Sequence, residues 1–320
     1  MTAVGSLVLR PGAFRLLLAG LVVLSHISNL QVGRLGVALF FLLSGFWISD
    51  LWNRQARFGN LLFFINRFLR IWPLYILVVL ASAWLHRRAL HLPSFTIFGV
   101  ASMNADKPIG VEWSLDIEAQ FYVLLPAIMT LGLSAWLVVP ATIMGWAAVY
   151  FAGIHNVLMY IPAFAAGMML YRYRDRPIPI AAGFSVLAFL CFSAVAFAIP
   201  ATRGMLINSM PDVVNEDVFA MAWGALLVPY IGHSLRRKSS VFDRHLGNLS
   251  FPLYLVHEPI IQALMPHGIV MKIGLLAIIS AVAIAFYIAI DIPIERIRHA
   301  LLKRLEARQM AAFAGADEIA

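Results

Sequence analysis

Residues 14–30 read FRLLLAGLVVLSHISNL, an apolar run long enough for one bilayer-crossing helix, interrupted near its end by a single histidine. A membrane span takes roughly 17–25 residues, and lipid offers no partner to a bare backbone amide, so such a run is read as a helix. Outward from it the pattern repeats. Apolar segments follow at 35–52, 71–85, 117–133, 134–151, 157–171, 180–199, 216–233, 249–265 and 271–291, which with 14–31 makes ten candidate spans. The expected fold is an all-α polytopic membrane protein of about ten transmembrane helices.

Composition points the same way. Of 320 residues, 62% are hydrophobic and 12% charged, and mean hydropathy is +0.85. Soluble domains carry about 25% charged residues, so this chain has too little polar surface to face water on all sides. The single cysteine, Cys191, has no partner for an internal disulfide and is expected as a small buried hydrophobe. The first apolar segment lacks a small-residue cleavage pattern and is read as a retained helix rather than a signal peptide.

Net charge is +8. In a soluble protein this would raise nucleic acid as a partner; here the positive-inside rule accounts for it. With both termini cytoplasmic, only Arg34, Arg87, Arg88, Lys107, Arg203 and Lys272 of the 24 Lys and Arg fall outside. The longest outer connections, 86–116 and 200–215, carry Asp106, Glu112, Asp116 and Asp212, and an external substrate would be met there. Residues 295–313 alternate Arg and Lys with apolar side chains at helical spacing. The organisation is therefore a transmembrane unit, 1–294, and a cytoplasmic amphipathic tail, 295–320, lying on the membrane surface. No internal repeat or inverted pair of broken helices is visible, which counts against a repeat-built transporter.

Ionisable groups inside spans are costly and therefore informative. Arg15 and His26 stand eleven residues apart, so they share one helix face about 16 Å apart along the axis, with His26 placed deep in the protein. Arg67 and Arg70 share a face at the entrance of the third span; paired guanidinium forks suit phosphate oxygens, and an anchor to lipid phosphates is the alternative. In EWSLDIE (112–118), Ser114 and Asp116 are positioned to cap a helix, while Glu118 lies one turn further in. His257 follows Tyr254 by one turn. Small residues at Ser44 and Gly45 suit close helix packing. The sequence has no phosphate-binding loop, no serine nucleophile elbow and no metal-ligand cluster.

Five ordered elements together resemble the acyltransferase-3 family of bacterial membrane acyltransferases. They are Arg15 and His26 with ten residues between them, GVALFFLLSGFWIS (36–49), NRFLRIWPLY (66–75), VEWSLDIEAQFYVLLP (111–126) and LGNLSFPLYLVHEPI (246–260). Residues 134–240 match only in hydrophobicity. The resemblance implies a ten-helix core in the bacterial inner membrane and an acyl-CoA co-substrate, acetyl-CoA by default, with no permanently bound cofactor. It also implies an acceptor approached from the other face, a glycan or lipid-linked sugar. It gives His26 the role of base toward the acceptor hydroxyl and Arg15, Arg67 and Arg70 the donor. Glu118 becomes an acid, or the carboxylate that orients His26. Trp113, Tyr254, His257 and Ser44 fall along the acceptor path or in packing. The chain is expected to lack the extracytoplasmic hydrolase-like domain fused to some relatives. Two rivals stand beside this reading. A proton-coupled transporter would use His26, Glu118 and His257 as a relay, and a non-catalytic relative would bind only lipid or a membrane partner.

Overall fold

Helices form at every one of the ten apolar segments in a computed structural model, which describes residues 8–55, 60–104, 106–131, 135–207, 215–265 and 267–317. Arg57, Asp212 and the division between the segments ending at 133 and starting at 134 lie outside the described residues. In chain order the helices are α1 (Pro11–Ile27), α2 (Gly33–Gln55), α3 (Asn60–His86), the short α4 (Leu92–Thr96), α5 (Glu112–Leu131), α6 (Ala135–Ala152) and α7 (Ile161–Arg172). They continue with α8 (Ala182–Ala198), α9 (Pro200–Arg203), α10 (Glu216–Ala225), α11 (Val228–Leu235), α12 (Val241–Leu264), α13 (Gly268–Phe286) and α14 (Ile292–Asp317). A π turn at Tyr287–Asp291 joins α13 directly to α14. The fold is thus all-helical, and the one β-bridge among the described residues pairs Leu30 with Ile207.

Four of these helical runs, α2, α3, α5 and the continuous Gly268–Met310, are long and apolar enough to cross a membrane; α10 and α11, bent by 58° at their junction, raise the number to as many as five. Helices α1, α6, α7 and α8 are apolar but shorter. Large apolar side chains stand bare on the outside, among them Trp84, Leu131, Trp136, Tyr150, Phe151 and Val270. An apolar surface of this extent is a liability in water and a requirement in lipid. Cys191 corrects the expectation of burial: it is exposed, because α8 is apolar on all sides and turns Phe184, Leu187, Leu190 and Val195 outward beside it.

Two close helix pairs hold the interior. Helices α2 and α7 approach at Gly45 and Gly167, where a Cβ on either glycine would overlap a backbone carbonyl of the other helix, Phe164 and Leu42 respectively. Helices α1 and α12 approach at Gly12, where a Cβ would overlap the Asp243 carbonyl, and Gly247 packs onto the Gly12 backbone. Small residues at such crossings let backbones meet directly. The first turn of α1 is then capped from its neighbour: Asp243 accepts from the N–H groups of Gly12 (3.1 Å) and Ala13 (2.8 Å). These donors have no partner within their own helix.

Asp243 lies ahead of the apolar part of α12 and is buried. Burial pushes its pKa up, but hydrogen bonds from Ser239, Ala13 and Gly12 and the charge of Arg10 outweigh that and hold it below the usual carboxylate range. A carboxyl that titrates lower in the folded than in the unfolded chain, where the value is about 3.9, stabilises the fold fully above that pH. Its contribution is lost as pH falls through the depressed value. Asp243→Asn should lower stability by about 1–2 kcal/mol at neutral pH, with the gap to the wild type closing in acid. Thermal unfolding of the solubilised protein across pH reads both effects.

Candidate active site

A cavity of about 260 Å³ opens between α1, α2, α3, α5, α12 and α14. On α5 its lining runs from Ser114 to Tyr122 and on α12 from Asn248 to Tyr254, so it extends about 9–12 Å along the helix axes. One end holds Arg15, Arg67, Arg70 and Arg298, and the far end reaches Tyr254 and Ser114; Val37, Phe41, Leu43 and Ile48 line it together with Ser44 and Glu118.

The arginine end is built from four helices. Helix α3 starts at Asn60, so Arg67 and Arg70 stand two to three turns inside it rather than at its entrance. Arg70 meets Asp291 (3.1 Å) and Glu295 (3.6 Å), which lie four residues apart and share a helix face across the π turn. The Arg67 guanidinium lies over the Tyr122 ring (5.9 Å) and its Nε has no partner. Arg15 is within electrostatic reach of Arg67, Arg70 and Glu118. Arg298 donates to Glu295 through Nη2.

Glu118 belongs to this cavity. It accepts from Ser44 Oγ and from the Tyr122 hydroxyl (2.7 Å), and the four-residue spacing of Glu118 and Tyr122 puts both on the face of α5 toward α2. Among the described residues no contact joins Glu118 to His26. Ser44 therefore serves the carboxylate, while its neighbour Gly45 makes the helix crossing.

The histidines lie beyond the opposite end. His26 occupies the last turn of α1 and its side chain is exposed, not deep in the protein, because α1 stops at Ile27. Its ring meets that of His257 edge to face, with centroids 5.1 Å apart. His257 is fully buried, and neither ring nitrogen has a hydrogen-bond partner. One turn before it, the Tyr254 ring lies 5.9 Å away, with its hydroxyl 2.6 Å from Ser114 Oγ. Tyr254, His257 and His26 thus form a continuous file from the cavity to the surface. Trp113 stands aside from it, under the Arg34 guanidinium (5.0 Å), which is itself paired with Asp217 (2.8 Å).

Several site residues were not singled out from sequence. Tyr122 could have been found from its position one turn after Glu118. Glu112, named from sequence among the outer carboxylates where a substrate would be met, is instead fully buried and accepts from Tyr75 (2.8 Å). Glu295 and Arg298 carried no signal, since their residues read as the start of a surface tail.

Comparison with known proteins bears on the same residues. A family profile described as an acyltransferase domain matches residues 10–292, which includes Arg15, His26, Arg67, Arg70, Glu118 and His257. The chain is 23% identical over 315 residues to the peptidoglycan O-acetyltransferase OatA of Listeria monocytogenes, covering 80% of this chain and 49% of that protein. It is 26% identical over 274 residues to nodulation protein 10 of Rhizobium leguminosarum bv. viciae, covering 73% of each. The chain thus spans about half the length of the first relative. No solved structure matches.

A buried imidazole whose nitrogens lack partners costs stability, since each unsatisfied donor or acceptor is worth about 1–3 kcal/mol. His257→Leu, which nearly conserves volume, should leave the thermal stability of the solubilised protein unchanged or higher. A loss of more than about 2 kcal/mol would mean that this imidazole is held by a polar partner.

Proposed function

We propose that this chain, which belongs to the acyltransferase-3 family, is a multi-pass O-acyltransferase of the bacterial inner membrane. It moves an acyl group, most simply acetyl, from cytoplasmic acyl-CoA to a hydroxyl of an extracytoplasmic glycan or lipid-linked sugar, modifying an envelope polysaccharide. The observation that carries the reading is the polarity of the cavity: arginines gathered at one end, and a file of Tyr254, His257 and His26 leading from the other end to the surface. The relative named as a peptidoglycan O-acetyltransferase supports acetyl as the group and a glycan as acceptor. Ten spans with both termini cytoplasmic, the orientation favoured by the Lys and Arg distribution, put the arginines toward the donor and His26 toward the acceptor.

In this mechanism Arg15, Arg67 and Arg70 hold the phosphates of the donor. The extended pantetheine arm lies along Val37, Phe41 and Leu43 and carries the thioester toward the histidines. His26, exposed at the end of α1, takes the proton from the acceptor hydroxyl as its oxygen attacks the thioester carbon. Collapse of the tetrahedral adduct breaks the carbon–sulfur bond, and the imidazolium returns the proton to the departing CoA sulfur. His257 packs against the His26 ring and fixes its orientation. Glu118, tied to Ser44 and Tyr122, shapes the donor end.

The test uses protein in liposomes with labelled acetyl-CoA at the cytoplasmic face. Release of CoA is compared between wild type and His26→Ala, with and without an envelope glycan extract. Release that grows with the extract should fall by about 10²–10⁴ in His26→Ala, a variant that keeps its fold because the side chain is exposed. A wild type that releases no CoA from any acyl-CoA, yet carries solute down a proton gradient, would establish the transporter reading instead. Among the described residues, the buried, unpartnered atoms of His257, Glu112 and Glu258 favour that reading.

A further inference from the structure

The match to the family ends at residue 292, but the wall of the cavity continues. Glu295 and Arg298, one turn apart on α14, close it. Arg298 is only 7% exposed. Its Nη2 is tied to Glu295, whereas its Nε and Nη1 are buried and have no partner, as is Arg67 Nε. Arg298 lies within electrostatic reach of Arg70 and Arg67, as does Arg15. Four guanidiniums therefore line the cavity against two carboxylates, Glu118 and Glu295, and a third, Asp291, is engaged by Arg70. Buried positive charge in excess, with free N–H donors, is a site waiting for an anion.

The position of Arg298 is fixed by packing beyond it. Leu302 is buried with Leu62, and Gln55 donates to Glu306 (3.4 Å), so the tail lies along α3 and the end of α2. Planar guanidinium forks match the oxygens of phosphate better than a point charge does.

We propose that Arg298 is a phosphate-binding residue: it lines the cavity with Arg67, and both carry N–H groups that no protein acceptor engages, so that a segment beyond the matched domain completes the donor site. The assignment of that phosphate to acyl-CoA rests on the function proposed above. The same donors would also suit the phosphate of a lipid headgroup.

The experiment measures binding of CoA, and separately of vesicles containing phosphatidic acid, to the full chain in detergent. Wild type is compared with Arg298→Gln, Arg298→Lys and Arg296→Gln, an exposed neighbour on the same helix, and thermal unfolding checks each fold. Arg298→Gln should weaken CoA binding at least about tenfold. Arg298→Lys should weaken it less, about threefold, and Arg296→Gln should not change it. If Arg298→Gln does not fold, Arg298→Lys carries the test. Wild-type affinity for CoA in both Arg298 variants overturns the inference and leaves the donor reading standing. Arg298-dependent binding of phosphatidic acid with no binding of CoA keeps the phosphate site and overturns the donor reading. Binding of neither ligand by wild type overturns both.

Discussion

A guanidinium held among apolar helices must find an acceptor or a counter-charge, and this condition governs how the cavity is built. Arg70 meets it with Asp291 and Glu295, which come from a single run of helix passing through a π turn. Such turns are uncommon and gather at functional sites; here the turn ends on Asp291, and the next α-helical turn presents Glu295 to the same partner. The pairing ties α3 to the α13–α14 rod. A slip of the rod by one residue would strand a buried charge, a loss of about 3–5 kcal/mol. The tail beyond the last apolar segment is thereby drawn into the body of the protein.

Glycine contacts fix the other walls. Gly12 meets Asp243 at one end of the α1–α12 pair, and His26 meets His257 at the other. Both pairings have the same sequence offset, because the two helices run side by side in parallel for about four turns. The cap on the first turn of α1 thus sets the register that brings the histidines together about 21 Å away. A side chain at Gly12 would disturb the histidine contact by moving the helix, without touching either ring.

The same separation explains what the sequence could and could not reveal. Apolar runs located the long helices, because in lipid the spans must be apolar and hydrogen-bonded within themselves, but not the short α4 and α9, which fall in stretches read as connections. Spacing along one helix was also legible: Arg15 with His26, Arg67 with Arg70, Tyr254 with His257. Helix ends were not, and that moved two site residues. With α1 stopping at Ile27, His26 lies at a terminus and is exposed, and with α3 beginning at Asn60, Arg67 and Arg70 lie mid-helix. Contacts between helices left no mark in the chain. Nothing in the stretch around Glu118 distinguishes a partner on α2, where Ser44 stands, from one on α1. Arg298 looks like any other cation of an amphipathic tail until its packing is seen. Cys191 was misjudged because an apolar neighbourhood means burial in a soluble protein but only contact with lipid here.

The gathering of arginines at one end of the cavity bears on how a donor would be measured. A phosphate that left the arginines for the side chains of Val37, Phe41 and Leu43, with the Glu118 carboxylate among them, would lose both its hydration and its partners. The head of the molecule is therefore stopped at a fixed level, and the arm behind it must account for the remaining distance to Tyr254 and the histidines. In the proposed reaction the arginines act on chemistry they do not touch, by setting where the thioester halts. The two histidines would divide the remaining work by environment: His26 is open to an acceptor, while His257, buried, holds the contact by ring packing. That contact leaves the His26 nitrogens free of any carboxylate among the described residues, and so available to the hydroxyl they would deprotonate.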